Sequence, residues 1–208
     1  MPADTDTGNP APLGLVGFGL TTVVLSTINA GLLPSEGEAV VLPLALAFGG
    51  TMQIVAGILE YKEGNTFGTV AFNSYGAFWW WFGLMLIFSG NGWISLAGAG
   101  TTIGFALIMW GVFTTYMWIS TFRLNWALWS VFLTLAITFF LLGFGDYLGI
   151  ESLALAGGYV GILTGLLAMY TSFAEVTNWS FDRDVLPIGG APIGGDGAGD
   201  DARVEPAD

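Results

Sequence analysis

Histidine and cysteine are both absent from the 208 residues, and lysine occurs once, as Lys62. Without Cys and His there are no disulfides, no thiolate or imidazole metal sites, no haem ligation by either, and no Cys or His nucleophile–base pair. No metal, no cofactor and no enzymatic chemistry is therefore expected. Lys62 stands beside Glu63 and close to Glu60 at the end of an apolar run, so no buried lysine is available for a Schiff base. Charge of either sign is scarce at 10%, and it is lopsided: 16 acidic against 4 basic residues, a formal net charge of −12. Such a surface excludes nucleic acid and anionic lipid headgroups as partners. The acidity fits a salt-rich cytoplasm or a solvated acidic tail equally well.

The chain is instead 54% hydrophobic, with a mean hydropathy of +0.71, which places it in a lipid bilayer. A helix needs about 20 mostly apolar residues to cross the hydrocarbon core. Six runs qualify, over 11–32, 39–60, 67–89, 93–118, 125–145 and 152–174. The breaks between them, "LPSEGE", "YKEGNTF", "SGNG", "TFRLN" and "GDYLGIES", carry turn, capping and charged residues. The expectation is an all-α integral membrane protein, a bundle of six transmembrane helices. Residues 1–8 form a short leading segment, 9–178 the membrane domain, and 179–208 an acidic, Gly-rich tail, disordered beyond 190. The first apolar stretch follows acidic residues and lacks a cleavable signal layout, so it reads as a retained helix. With six spans, Lys62, Arg123, Arg183 and Arg203 fall on one side with both termini. The positive-inside rule puts that side in the cytoplasm of a plasma-membrane protein.

The first helix opens with "NPAPLGL": Asn9 as N-cap, then Pro10 and Pro12 in the first turn, where a missing N–H costs nothing. Asn65 and Asn125 open the third and fifth runs similarly. The pattern reads either as three variations on one helical hairpin or as three good caps. Gly49, Gln53 and Gly57 make a nearly bare stripe with an amide at its middle. Thr69, Asn73, Ser74 and Gly76 surround Tyr75, while Thr21, Thr22, Ser26 and Asn29 lie in the first run. Small residues also recur at Gly100 and Gly104 and at Gly157, Gly161 and Gly165. Any one of these serves helix packing, within one bundle or between protomers. Together, amides and hydroxyls near mid-membrane with no deep charge describe a polar, uncharged path for a small solute. The "FWWWF" group at 78–82, Trp110, Trp126 and Trp129 either line that path or face lipid and headgroups.

"NPAPLGLVGFG" at 9–19 resembles the signature of the acetate uptake transporter family, which includes bacterial succinate–acetate permeases and fungal ammonia/acetate exporters. "GGTMQIVAGILEYKEGNTFGTVAFNSYGAFW" at 49–79, "WGVFT" at 110–114 and "LPIG" at 186–189 extend the likeness over nearly the whole chain. The resemblance implies six-helix protomers assembled as a homohexamer. Each protomer would hold its own path for acetate and related small carboxylates such as succinate. It also implies a hydrophobic constriction of a Phe, a Tyr and a Leu, which fall on Phe18, Tyr75 and, by spacing, Leu135. These three lie nine or ten residues after Asn9, Asn65 and Asn125, a common depth of roughly 14 Å at 1.5 Å per residue.

A bare carboxylate in a desolvated ring costs several kcal/mol or more. Two solutions are open. The neutral acid crosses and carries its proton with it, or the anion is held by Gln53, Asn73, Thr21, Thr22, Ser74, Tyr75 and the N-terminal N–H groups of the first helix. Asn9, Pro10, Pro12 and Gly14 would then fix a helix start at the cytoplasmic mouth. Glu60 reads either as a proton-handling group there or as a solvated partner of Lys62. Competing functions are a channel for small neutral solutes (urea, amides, ammonia) and an acetate sensor or scaffold acting through the acidic tail.

Overall fold

The computed structural model describes residues 8–194; residues 1–7 and most of the acidic tail, including Arg203, lie outside the described residues. Those described form six long helical segments and no strand. They are α1 (Ala11–Asn29), α2 (Ser35–Lys62), α3 (Thr66–Gly90), α4 (Gly100–Thr121), α5 (Trp126–Leu148) and α6 (Glu151–Phe181). Five of the six are long and apolar enough to cross a membrane; α3 falls short by composition. Its first half carries Thr66, Thr69, Asn73 and Ser74, of which Thr69 and Asn73 satisfy their donors locally, on Asn65 O and Thr69 O.

Two boundaries differ markedly from the apolar runs. The fourth helix starts at Gly100, not 93, because Gly92 (φ 70°) and Gly98 (φ 77°) adopt the left-handed backbone that interrupts a helix. The sixth runs on to Phe181, since "AEVTNWSF" contains no breaker, and stops where Asp182 turns left-handed at φ 50°. Residues beyond 181 then fold back instead of leaving the bundle. Asn178 Oδ1 accepts from Val185 and Leu186 N–H at 2.8 Å each, Ala127 N–H donates to Ile188 O at 3.0 Å, and Ile193 N–H to Phe122 O at 2.9 Å.

The second segment is not one regular helix. After a 3-10 turn at Ser35–Gly37 and an α-helical stretch at Glu38–Leu44, residues Ala45–Met52 take the wider π form before α geometry resumes at Gln53. Pro43 withholds a backbone donor just upstream. The Thr51 hydroxyl follows the π register, donating to Leu46 O five residues back at 2.8 Å.

Helix pairs approach through glycine. A Cβ on Gly165 would stand 2.7 Å from Gly19 O, and one on Gly19 the same distance from Gly165 O, so α1 and α6 meet backbone to backbone. Gly104 meets Gly143 across α4 and α5, Gly157 receives Leu142 of α5, and Gly76 meets Gly50 across α3 and α2. The glycine stripes of α4 and α6 thus serve packing within one bundle. Each helix packs on its chain neighbours and α6 returns to α1, closing a ring in which only α3 and α4 keep their backbones apart. The exterior is apolar, with Ile58, Phe105, Leu163 and Phe173 exposed, whereas Thr21, Gln53, Thr114, Thr164 and Thr171 are buried. This inverts the usual soluble pattern, as a bilayer requires.

Gly165→Val is expected to drive α1 from α6, at a cost of about 1–3 kcal/mol from overpacking. A lowered thermal midpoint of the detergent-purified protein, with Gly90→Ala unchanged because nothing lies within 4 Å of that position, would confirm it.

Candidate constriction and flanking cavities

Asn65 and Asn125 cap their helices: their Oδ1 atoms accept the N–H of Gly68 (3.1 Å) and Leu128 (2.8 Å). The first helix is built differently. Pro10, not Asn9, occupies the cap position, while Asn9 Oδ1 accepts Ala11 N–H at 2.9 Å. Pro10 O takes the N–H groups of Leu13 and Gly14 at 3.1 and 3.4 Å. Pro10 and Pro12 have none to offer, so the first turn of α1 presents no free N–H to an anion. Gly14 admits the Phe72 ring, which a Cβ would meet at 2.5 Å, and Pro12 O accepts the Ser172 hydroxyl at 2.8 Å. The motif locks α1 against α3 and α6.

Phe18, Tyr75, Leu135 and Gln53 come together around one cavity of about 20 Å³, which Leu15, Phe72 and Phe132 complete. That volume holds about one water molecule. Phe18 and Tyr75 lie 5.8 Å apart between ring centroids. Toward the end where the chain enters and leaves the bundle, the same Leu15, Ala71, Phe72 and Phe132 line a second cavity of about 50 Å³, bounded by Glu60, Asn65 and Glu175. Toward the opposite end, Phe78 and Phe139 border a third of about 210 Å³ that also meets Asn29, Glu38 and Asp146. The three cavities follow one another through the ring, narrowest where Phe18, Tyr75 and Leu135 meet.

The seam between α3 and α4 is closed by side chains. The Tyr75 hydroxyl donates to Thr114 Oγ1 at 2.9 Å, and Thr114 in turn donates to Trp110 O at 2.8 Å. Phe113 packs edge-on against Tyr75 at 5.4 Å, Trp110 against Phe78 at 5.3 Å, and Phe139 stacks on Tyr75 at 6.5 Å. Trp110 thus belongs to the wall of the constriction, whereas Trp126 is half exposed and packs on Trp129 at the bundle end.

The remaining polar candidates lie elsewhere. Thr21 and Thr22 return their hydroxyl protons to Gly17 O and Phe18 O at 2.8 and 2.7 Å, and Asn73 Nδ2 donates to Thr69 O at 2.8 Å against Gly57. Ser74 borders none of the three cavities. Gln53 stands apart: it is 1% exposed, lines the constriction, and its Oε1 has no partner. Glu60 is no solvated partner of Lys62; it is 2% exposed and accepts from Asn65 Nδ2 at 2.6 Å. Glu175 lies one residue beyond the sixth apolar run, and the helix-permissive sequence up to Asn178 is the signal that carries α6 past it.

The family described as GPR1/FUN34/yaaH matches residues 1–185. The chain belongs to this family. It is 41% identical over 186 residues to the succinate-acetate/proton symporter SatP of Escherichia coli K12, covering 89% of this chain and 97% of that protein. It is 37% identical over 198 residues to acetate permease A of Emericella nidulans, covering 88% and 66% respectively. The solved structure of the bacterial acetate channel SatP superposes with a TM-score of 0.85 at 41% identity, over 88% of this chain and all of that one. The family assignment agrees with the resemblance carried by "NPAPLGL" and "NTFGTVAFNSYG".

Thr114→Val is expected to strand the buried Tyr75 hydroxyl at a cost of about 1–3 kcal/mol, while Thr114→Ser keeps the acceptor and most of the stability. Thermal unfolding of the two variants in the same detergent checks the difference.

Proposed function

We infer that this family member is a membrane transporter or channel for acetate and related small carboxylates such as succinate, which pass through the three cavities of each protomer. The carrying observation is the narrowing at Phe18, Tyr75 and Leu135, with cavities on both sides and one unpartnered buried amide, Gln53, against it. In this reading Phe18, Tyr75 and Leu135 are the gate. Six helices cross the plasma membrane with both termini cytoplasmic, and the protomers assemble as a homohexamer. No enzymatic step is involved. The segments 1–8 and 179–208 flank the membrane domain on the cytoplasmic side.

The hydrogen-bond arrangement favours passage as the neutral acid. The protons of Tyr75, Thr21 and Thr22 are committed to other acceptors, and no cation lines the constriction. An anion would find few donors there and would forfeit its hydration, at a cost of several kcal/mol. A protonated carboxyl suits Gln53 well. Its O–H donates to Oε1 while Nε2 donates to its carbonyl oxygen, a paired ring that satisfies both partners. An amide or urea would make the same ring, which keeps a neutral-solute channel as the second reading; flux that follows the protonation state of the solute separates the two.

In liposomes holding the purified protein, saturable labelled-acetate uptake is expected, faster under an inward proton gradient and altered by Tyr75→Ala. Gln53→Leu is expected to lower it about tenfold, the equivalent of about 1.4 kcal/mol. No flux above empty liposomes from folded protein would overturn the acetate reading in favour of the neutral-solute channel or the scaffold.

A further inference from the structure

We propose that Glu60 and Glu175 form a shared proton site at the end of the pathway where the chain enters and leaves the bundle, loaded through the groove between α1 and α6. Both carboxyls line the same 50 Å³ cavity, one shell of side chains from the constriction. Each is held by the asparagine that opens an odd-numbered helix: Asn65 Nδ2 donates to Glu60 Oε2 at 2.6 Å, and Asn9 Nδ2 to Glu175 Oε2 at 3.3 Å. Glu60 Oε1 is buried without a partner, an acceptor in need of a donor. Around the cavity stand Leu15 of α1, Phe67 and Phe72 of α3, and Leu128 and Phe132 of α5, none of them charged. Lys62 and Glu63 lie on the exposed end of α2.

Two carboxylates facing one small, largely apolar cavity repel each other strongly, and a single proton between them removes the repulsion. Glu175 supplies the route. It also borders a groove of about 520 Å³ formed with Asn9, Pro12, Ser172 and Trp179, so one carboxyl touches both the groove and the enclosed cavity. The coupling step rests on the acetate reading. An acetate anion in the cavity accepts the proton of the pair: the O–H bond of the glutamic acid breaks, that of acetic acid forms, and the pair is left doubly ionised until a proton returns through the groove. For outward flux the acid then meets Gln53 in the protonated state that the constriction favours. For uptake the same steps run in reverse, the acid that has passed Gln53 giving its proton to the doubly ionised pair, which releases it through the groove.

Infrared pH titration of the purified, acetate-free protein tests the site without reference to transport. Wild type is expected to keep a protonated-carboxyl C=O band near neutral pH, lost in Glu60→Gln and also in Glu175→Gln, because either substitution removes the repulsion that holds the proton. In liposomes the same variants are expected to lose most of the stimulation of acetate uptake by an inward proton gradient. No such band in wild type, a band that survives both substitutions, or unchanged gradient stimulation overturns the proposal. Should one variant fail to fold, the other decides. A band with this pattern in a protein that moves no acetate upholds the proton site and overturns the acetate reading alone.

Discussion

The hydrogen bond from Tyr75 to Thr114 spans the one seam of the ring at which helix backbones stay apart. Everywhere else glycine lets backbones touch, and the contact is made by main chain and small side chains. Between α3 and α4 the gap is filled by Tyr75, Phe78, Trp110 and Phe113, whose rings pack edge to face or tilted at centroid distances of 5.3 to 6.1 Å. Such contacts hold the ring of Tyr75 from its sides. The hydroxyl–hydroxyl bond anchors its tip, beside the aperture it forms with Phe18 and Leu135.

That bond also decides the chemistry of the aperture. By donating to Thr114, which is itself committed to Trp110 O, Tyr75 turns only lone pairs and ring toward the cavity. The neighbouring threonines behave alike, each returning its proton to a carbonyl four residues back. In lipid every backbone and hydroxyl group must find its partner inside the protein, and short-range pairing satisfies that requirement without leaving donors for a passing solute. The amide of Gln53, which directly follows the π segment, differs: it lines the constriction together with Leu15 of α1 and Ala71 of α3, and its Oε1 has no partner.

Much of this was legible from the residues. Six apolar runs correspond to six helices, the asparagines at 65 and 125 are caps, and Phe18, Tyr75 and Leu135, which the family resemblance names, stand at equal spacing from three asparagines and line one cavity. Other features leave no such trace. The π stretch at Ala45–Met52 follows Pro43 and packs Gly49 and Gly50 against Trp79 and Trp80, and neither periodicity nor composition marks it. Apolarity alone carried the fourth run back to 93, because it does not register the left-handed glycines that end a helix. The proline motif read as a capped, anion-attracting helix start, yet Asn9 and Pro10 absorb the very N–H groups that such a site needs. Glu60 was ambiguous beside Lys62 because adjacency in sequence does not reveal that its side chain turns inward.

The three asparagines show how near-repetition produces a polar, one-sided entrance. In two of the three units the Nδ2 atom is answered by a glutamate, Glu60 from α2 or Glu175 from α6. In the third, α4 ends near Asn125 with the buried Thr121, which donates to Trp118 O and offers no carboxylate. A full set of three would crowd a third charge into a cavity of about 50 Å³, with a repulsion that a single proton could not relieve. Two carboxyls are the smallest number that can share one proton, and on the α5 side the cavity is lined by Leu128 and Phe132 instead.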